Sequence, residues 1–266
     1  VGGALIATAT TGDITQSGVL EITGTATFIT ATNNKDIILN QNNVFHSSVT
    51  MKAGNGDNAA FKDITFKDSA TVNLVSSASS SNGDLFIDAS TNLAVGGALS
   101  ITANSGDITQ GSELAVGTLS TFTTSASDGT ITLNDADNAF TGAVALNTNG
   151  SSGNATIKDK AADLQLAAST IGGTFSGTAT TGNITQNGAL DIEGATTLVT
   201  SGQGADIVLT TDTNAFTSQL LITTNETNSD IDADVSIDGG TTNLIIGTST
   251  IDGDLSLRSG GTLTDT

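Results

Sequence analysis

The chain of 266 residues contains no cysteine, proline, tryptophan or tyrosine, and only one histidine and one methionine. Without cysteine no disulfide can form, so stability must come from packing and hydrogen bonding. Proline cannot donate to a strand ladder, and its absence suits a chain in which nearly every backbone N–H is paired between strands. The missing tryptophan and tyrosine are the amphipathic rings that binding surfaces favour.

Positive charge is also scarce, since 7 Lys and Arg stand against 27 Asp and Glu, for a formal net charge of −20. Nucleic acids and anionic membrane surfaces are bound through clustered Lys and Arg, so we expect neither as a direct partner. No apolar run reaches the roughly 18 residues of a membrane-spanning helix, so the sequence predicts no membrane insertion.

A long internal repeat is the main feature of the sequence. Three landmarks recur in one order: a Val-Gly-Gly-Ala-Leu type at Val1, Val95, Ile171 and Ile251, a Gly-Asp-Ile-Thr-Gln type at Gly12, Gly106 and Gly182, and an Asn-x-Phe type at Asn43, Asn138 and Asn214. Recurrence of this kind indicates a solenoid or another array. We therefore interpret residues 1–266 as one domain, with repeats 1–94, 95–170 and 171–250 and a fourth that starts at 251–266.

Within each repeat, apolar residues stand two apart, and Gly, Asn, Asp and Ser fill the gaps, as in short strands joined by turns. The second repeat has about nine such strands, or three coils of roughly 25 residues. We predict an all-β fold, a right-handed parallel β-helix that is triangular in section, with about three short strands per coil and roughly ten coils. The predicted core includes Leu5, Ile14, Leu99, Ile101, Ile108, Ile131, Leu133, Phe140, Phe175, Ile184 and Phe216.

The aromatic content and the length of the first repeat bear on this interpretation. A β-propeller would need blades of about 40 to 50 residues, usually with aromatic signatures, and only 3% of residues here are aromatic. The excess length of the first repeat lies near Phe61 to Ile87, and we interpret it as most of an extra coil.

The segments Val95 to Leu114, Ile131 to Leu133 and Asn138 to Val144 resemble the repeat region of very large bacterial surface exoproteins. These are the filamentous-haemagglutinin-like and autotransporter-like adhesins, and the resemblance covers essentially the whole chain. It implies the β-helix fold and an extracellular or bacterial cell-surface location. It does not specify a ligand, because such repeats are spacers as often as binding surfaces.

Acidic and amide residues recur at the turns. Asp13 and Asp107 are candidates for catalytic acids of a polysaccharide-cleaving β-helix, but the third residue of their column is Asn183. Exchange of Asp for Asn beside Gly favours a turn former whose side chain bonds its own backbone.

A second amide column is also predicted to be structural. Asn43, Asn138 and Asn214 are expected either to adopt positive φ or to bond their amides to a neighbouring coil.

Metal binding and acid–base chemistry have weaker signals. Asp230, Asp232, Asp234 and Asp238 alternate with apolar residues, which predicts a strand with an acidic outer face that is either solvated or loosely binds Ca²⁺. His46 is the only histidine, and we expect it on an exposed face. No other cofactor is expected.

These observations favour a structural, non-enzymatic rod segment of an extracellular fibre or giant surface adhesin. The expected partners are further repeats of a longer chain, a second copy stacked end to end or side by side, or a glycan or protein on a neighbouring cell. A polysaccharide-binding or -cleaving β-helix of the tailspike or lyase type is the alternative. An ice- or mineral-binding solenoid is a third hypothesis, for which the Thr ladder looks interrupted.

Overall fold

The computed structural model describes residues 1–32, 34–53, 63–70, 72–75, 84–87, 93–225 and 231–266. These residues form strands, turns and bends but no helix, and none therefore belongs to a helix long and apolar enough to cross a membrane. The strands in chain order are β1 (Leu5–Ala9), β2 (Ile14–Thr15), β3 (Glu21–Ile22), β4 (Ala26–Thr30), β5 (Ile37–Phe45), β6 (Val49–Ala53), β7 (Ile64–Asp68), β8 (Val72–Val75), β9 (Asp84–Ile87), β10 (Leu93–Val95), β11 (Leu99–Ala103), β12 (Ile108–Gln110), β13 (Leu114–Val116), β14 (Ser120–Ser127), β15 (Ile131–Leu133), β16 (Ala139–Phe140), β17 (Val144–Asn149), β18 (Ala155–Asp159), β19 (Leu164–Leu166), β20 (Ser169–Ile171), β21 (Phe175–Ala179), β22 (Ile184–Gln186), β23 (Leu190–Ile192), β24 (Thr196–Thr200), β25 (Ile207–Leu209), β26 (Ala215–Phe216), β27 (Gln219–Thr223), β28 (Val235–Asp238), β29 (Leu244–Ile246), β30 (Leu255–Arg258) and β31 (Leu263–Asp265).

Two long sheets run along the molecule. The first sheet has the order β1-β4-β6-β9-β8-β12-β15-β18-β21-β24-β27-β29-β31, and the second follows β2-β5-β7-β11-β14-β17-β19-β22-β25-β28-β30. The strands pair in parallel: Leu99 pairs with Ser120, 21 residues later, and Ser120 pairs with Val144, 24 residues later. The predicted parallel β-solenoid of about ten turns is confirmed, with these coils somewhat shorter than predicted.

A third side of the solenoid is short and discontinuous. The strands β10, β13 and β16 form one three-stranded column, β20, β23 and β26 form another, and β3 pairs with the end of β5. Three strands per coil therefore occur in these coils, but only the two long sheets extend along the whole stack.

The sequence repeat and the coil are out of step by half a coil. The strand after the first landmark lies in the first sheet as β1 and β21, but in the second sheet as β11. The strand of the second landmark makes the opposite exchange, since β2 and β22 lie in the second sheet and β12 in the first. Each repeat thus adds three and a half coils, and our prediction of three was wrong.

The pairings across repeat boundaries show how this exchange arises. Ile64 at the end of the first repeat pairs with Leu99, and Ala155 pairs with Phe175. In both cases a strand in the column of the second landmark pairs in parallel with a strand of the first landmark from the next repeat. Successive repeats are therefore related by half a turn about the axis of the solenoid.

Inward-facing side chains form one continuous hydrophobic core along the solenoid. Ile101, Phe122 and Leu146 stack in register through three successive coils, and all three are buried. The other predicted core residues are buried too, apart from Leu5 and Ile14. These two are partly buried because the first coil is covered from one side only.

Among the described residues, the longer first repeat adds a single strand to one coil. In the first sheet β9 lies between β6 and β8, whereas in the third repeat the equivalent strands β27 and β29 pair directly. The second sheet gains nothing, because β7 pairs directly with β11. The interpretation as most of an extra coil was therefore wrong for the described strands; Phe61 lies outside the described residues.

Candidate functional site

The most distinctive polar arrangement is a buried amide that recurs once per repeat. Asn138 is completely buried, and its Oδ1 accepts hydrogen bonds from Gln110 Nε2 and from the backbone N–H of Leu114 at 2.9 Å. Its Nδ2 donates to Gln110 Oε1 at 3.2 Å, to Leu133 O at 3.3 Å and to Lys158 O at 3.2 Å. Every donor and acceptor of the amide is therefore used inside the protein.

The other two repeats form the same contacts. Asn43 bonds to Gln16 and to the backbone of Leu20, Leu39 and Lys67. Asn214 bonds to Gln186 and to the backbone of Leu190, Leu209 and Asp238. The three amides thus bond to neighbouring coils, and none of them adopts positive φ, which the described non-glycine residues show only at Asn34 and Asp128.

A buried carboxylate extends two of the amide sites into the next coil. Asp159 Oδ1 accepts the backbone N–H of Phe140 at 3.0 Å and that of Ala161 at 3.0 Å. Asp68 accepts the backbone N–H of Phe45 at 3.2 Å in the same way. We call each set of three residues a Gln–Asn–Asp network: Gln16, Asn43 and Asp68; and Gln110, Asn138 and Asp159. The third repeat has no carboxylate at this place, because Asn214 Nδ2 donates to the backbone O of Asp238 as Asn138 does to that of Lys158, and the next residue is Gly239.

The buried carboxylates near the three amides, Asp68, Asp159 and Asp238, differ in how their charge is compensated. Burial raises the pKa of Asp68 and Asp159 above the ordinary value of 3.8, because desolvation outweighs the backbone N–H groups that they accept. Asp159 Oδ2 is buried without a described hydrogen-bond partner. Asp238 differs because Arg258 Nη1 lies 2.6 Å from its Oδ2.

The turn column that includes Asp13, Asp107 and Asn183 also links coils. Asp13 Oδ1 accepts the backbone N–H of Asp36 at 3.0 Å, Asp107 Oδ1 that of Thr130 at 2.7 Å, and Asn183 Oδ1 that of Asp206 at 2.7 Å. The expected bond to the residue's own backbone is replaced by one to the next coil, because stacking brings that N–H within reach. Carboxylate and amide oxygens accept equally well, which explains the exchange of Asp for Asn.

The predicted acidic outer face is only partly present. Asp232 and Asp234 are exposed, and Asp234 Oδ1 accepts the backbone N–H of Asp254 at 2.7 Å. Asp238 was expected to face outward but is buried, because its Oδ1 accepts the backbone N–H of Gly240 at 2.8 Å and its Oδ2 lies 2.6 Å from Arg258 Nη1. Asp230 lies outside the described residues, so calcium binding stays a prediction.

Metal-ligating side chains do not converge on these groups in the part of the chain that the structure describes. Across the described ranges, no three or more His, Cys, Asp or Glu side chains converge in a way that would hold a metal ion. His46 is exposed, and its Nε2 lies 3.7 Å from Glu21 Oε1. The recurring polar groups bond to one another and to the backbone.

Comparison with known proteins places the chain in a family. A family model described as repeats of unknown function (DUF5649) matches residues 1–52, 62–147 and 152–223. The chain belongs to this family of repeats. No curated protein and no solved structure matches the chain.

In this member of the DUF5649 repeats, sequence reasoning found the Asn residues but missed their partners. Gln110 is the last residue of the second landmark. Asp159 stands in a Lys-Asp pair, and Asp68 stands in another. Both signals recur in the sequence, but their separation of 49 residues conceals that Asn138 contacts each of them. Only the stacking of three coils brings the three residues together.

Proposed function

We propose that this chain is a structural, non-enzymatic rod segment of an extracellular fibre or giant surface adhesin. The observation that carries the proposal is the uninterrupted parallel stacking of two sheets through about ten coils. At the strand spacing of about 4.8 Å, such a stack makes a rod on the order of 50 Å long.

Cross-coil side-chain bonds support a mechanical role. Backbone pairing joins each coil to the next, and each Gln–Asn–Asp network ties three coils together. The turn column adds further links, from Asp163 through Asn183, Asp206 and Asp234 to the backbone of Asp254. Because these bonds run between coils, bending or separating the coils requires breaking them. Stiffness along the rod follows from this arrangement.

The proposal includes stacking on further repeats or on a second copy, for which apolar side chains that are partly buried at the first coil and exposed at the last coil would serve. An open cavity of about 430 Å³ lies at the first coil beside Leu5, Ile14 and Leu20, and one of about 350 Å³ lies at the last coil beside Leu255 and Leu263. Unpaired strand edges recruit further strands in the same register. End-to-end association is therefore part of the proposal.

Electron microscopy of the purified chain, with and without calcium, tests the rod and its association. We expect thin rods of uniform width that join end to end, and filaments that lengthen with calcium if the exposed aspartates bind it. Compact particles without an axial direction would contradict the rod. Rods that never join would contradict the end-to-end association alone.

Surface location needs a separate test. Antibodies against this chain should label intact cells of the organism that makes it, and protease added to those cells should remove the label. Labelling that appears only after the cells are broken would overturn the extracellular assignment.

One observation bears on the ice- or mineral-binding hypothesis. Outward-facing hydroxyls stand in register on four successive strands of the first sheet, at Thr132, Thr156, Ser176 and Thr197. The sequence conceals this column of hydroxyls, because two of its strands lie in the column of the second landmark and two in that of the first. It ends at Leu221, which pairs with Thr197. Four coils make a short ladder, so we retain the rod as the proposed function.

A further inference from the structure

The turn after β17 contains an Asn-Gly step whose side-chain amide is unengaged. Asn149 is exposed, ends its strand and makes no described side-chain hydrogen bond. Gly150 follows with φ of 87° and carries no side chain that would shield its backbone nitrogen. Both reacting groups of an intramolecular cyclisation are thus adjacent in the chain, and the amide that supplies the carbon is exposed.

The backbone on either side of this step is held in place. Asp128 N donates to Asn149 O at 2.7 Å, and Gly153 N donates to Gly150 O at 2.9 Å. Asp128 Oδ1 also accepts the backbone N–H of Ser152 at 2.8 Å. The stack therefore holds both carbonyls, and rotation of the exposed Asn149 side chain is the motion left to bring Cγ toward Gly150 N.

We propose that Asn149 and Gly150 form a self-modification site at which the asparagine deamidates through a cyclic imide. The backbone nitrogen of Gly150 attacks Cγ of Asn149, so that an N–Cγ bond forms and the Cγ–Nδ2 bond breaks. Nδ2 leaves as ammonia with the proton that the backbone nitrogen gave up. Water then opens the ring at either carbonyl, and the product is aspartate or isoaspartate.

A second Asn-Gly step supplies an internal comparison. Asn187 is also exposed and precedes Gly188, but its Nδ2 donates to Gln165 Oε1 at 3.2 Å. Breaking this hydrogen bond costs about 0.5–1.5 kcal/mol, which slows cyclisation by roughly two- to tenfold. Asn149 should therefore react first of the two.

The product has consequences for the stack. A carboxylate at position 149 would stand beside Asp128, which adds like charge to an acidic surface. Isoaspartate lengthens the main chain, and the next coil leaves little room, since even a Cβ on Gly172 would lie 2.5 Å from Gly150 O. We expect the modified turn to loosen from the coil above it and to be cut by protease between Gly150 and Gly153.

Peptide mapping by mass spectrometry after incubation at mildly alkaline pH tests the site in the full chain. Asn149 should convert to a mixture of aspartate and isoaspartate about two- to tenfold faster than Asn187. Cleavage before aspartate separates Asn149 and Asn187 from the steps Asn55-Gly56 and Asn82-Gly83, which lie outside the described residues.

Variants separate the imide route from simple hydrolysis. Asn149→Gln keeps the amide but removes the favourable five-membered ring, so ammonia release from this peptide should stop. Gln165→Ala frees the Asn187 amide and should bring its rate close to that of Asn149. Conversion at Asn149 no faster than at Asn187, or conversion without any isoaspartate, would overturn the proposal.

Discussion

Replacing Asn138 by alanine should destabilise the solenoid strongly. The side chain is completely buried and bonds to Gln110, Leu114, Leu133 and Lys158. Alanine retains none of these hydrogen bonds. The variant leaves the Leu114 N–H facing an empty site, together with a Gln110 amide whose partner is gone.

The magnitude follows from the groups left without partners. A buried donor or acceptor that loses its hydrogen bond costs about 1–3 kcal/mol. Leu114 N and the Gln110 amide both lose such a bond, and the carbonyls of Leu133 and Lys158 each lose one donor. With partial compensation by water or relaxation, we expect a loss of about 3–4 kcal/mol in the free energy of unfolding.

Urea titration followed by circular dichroism measures the loss, and Asn134→Ala is a matched control. Asn134 is exposed, and its replacement should change the free energy of unfolding by no more than about 0.5 kcal/mol. Because solenoid coils interact mainly with their neighbours, hydrogen exchange should show the lost protection around β13, β16 and β18 first. A variant as stable as Asn134→Ala would refute the view that the network holds three coils together.

Three further predictions concern other parts of the stack. Burial raises the pKa of Asp159 in the folded protein, so its ionised form lowers stability at neutral pH, and this penalty is lost as the pH falls below the folded pKa. The stability of Asp159→Asn relative to wild type, measured by urea titration across pH, should therefore be highest at neutral pH. A difference in stability that does not change with pH would contradict this. Gly182→Ala should destabilise by several kcal/mol in thermal melts, since its Cβ would lie 1.0 Å from Ala162 O, whereas Gly12→Ala at the equivalent landmark position has open space and should fold normally. Phe140→Ala removes a buried ring that packs edge-on against Phe122 at a centroid distance of 6.2 Å. It should lower the free energy of unfolding by about 3–5 kcal/mol in the same melts, and a smaller loss would indicate that the core collapses into the space.

Much of the fold was predictable because the signals are local. Alternation of apolar and polar residues determines strands, and Gly, Asn and Asp determine turns, so the parallel stack followed from a repeat with no helical period. The inward positions of Ile101, Phe140 and Phe216 followed from the same alternation. The Asn residues could be assigned to structure, but the choice between a positive φ and a bond to another coil stayed open.

The sequence by itself therefore determined which residues form strands, which face inward and where the repeats recur. Only the tertiary structure decided that each repeat spans three and a half coils, because that depends on how strands such as β7 and β11 pair across a repeat boundary. The same pairing decided that Gln110, Asn138 and Asp159 meet and that Asp13 bonds the next coil. The physical reason is that stacking joins residues 20 or more positions apart, and no local pattern records which of them will face each other.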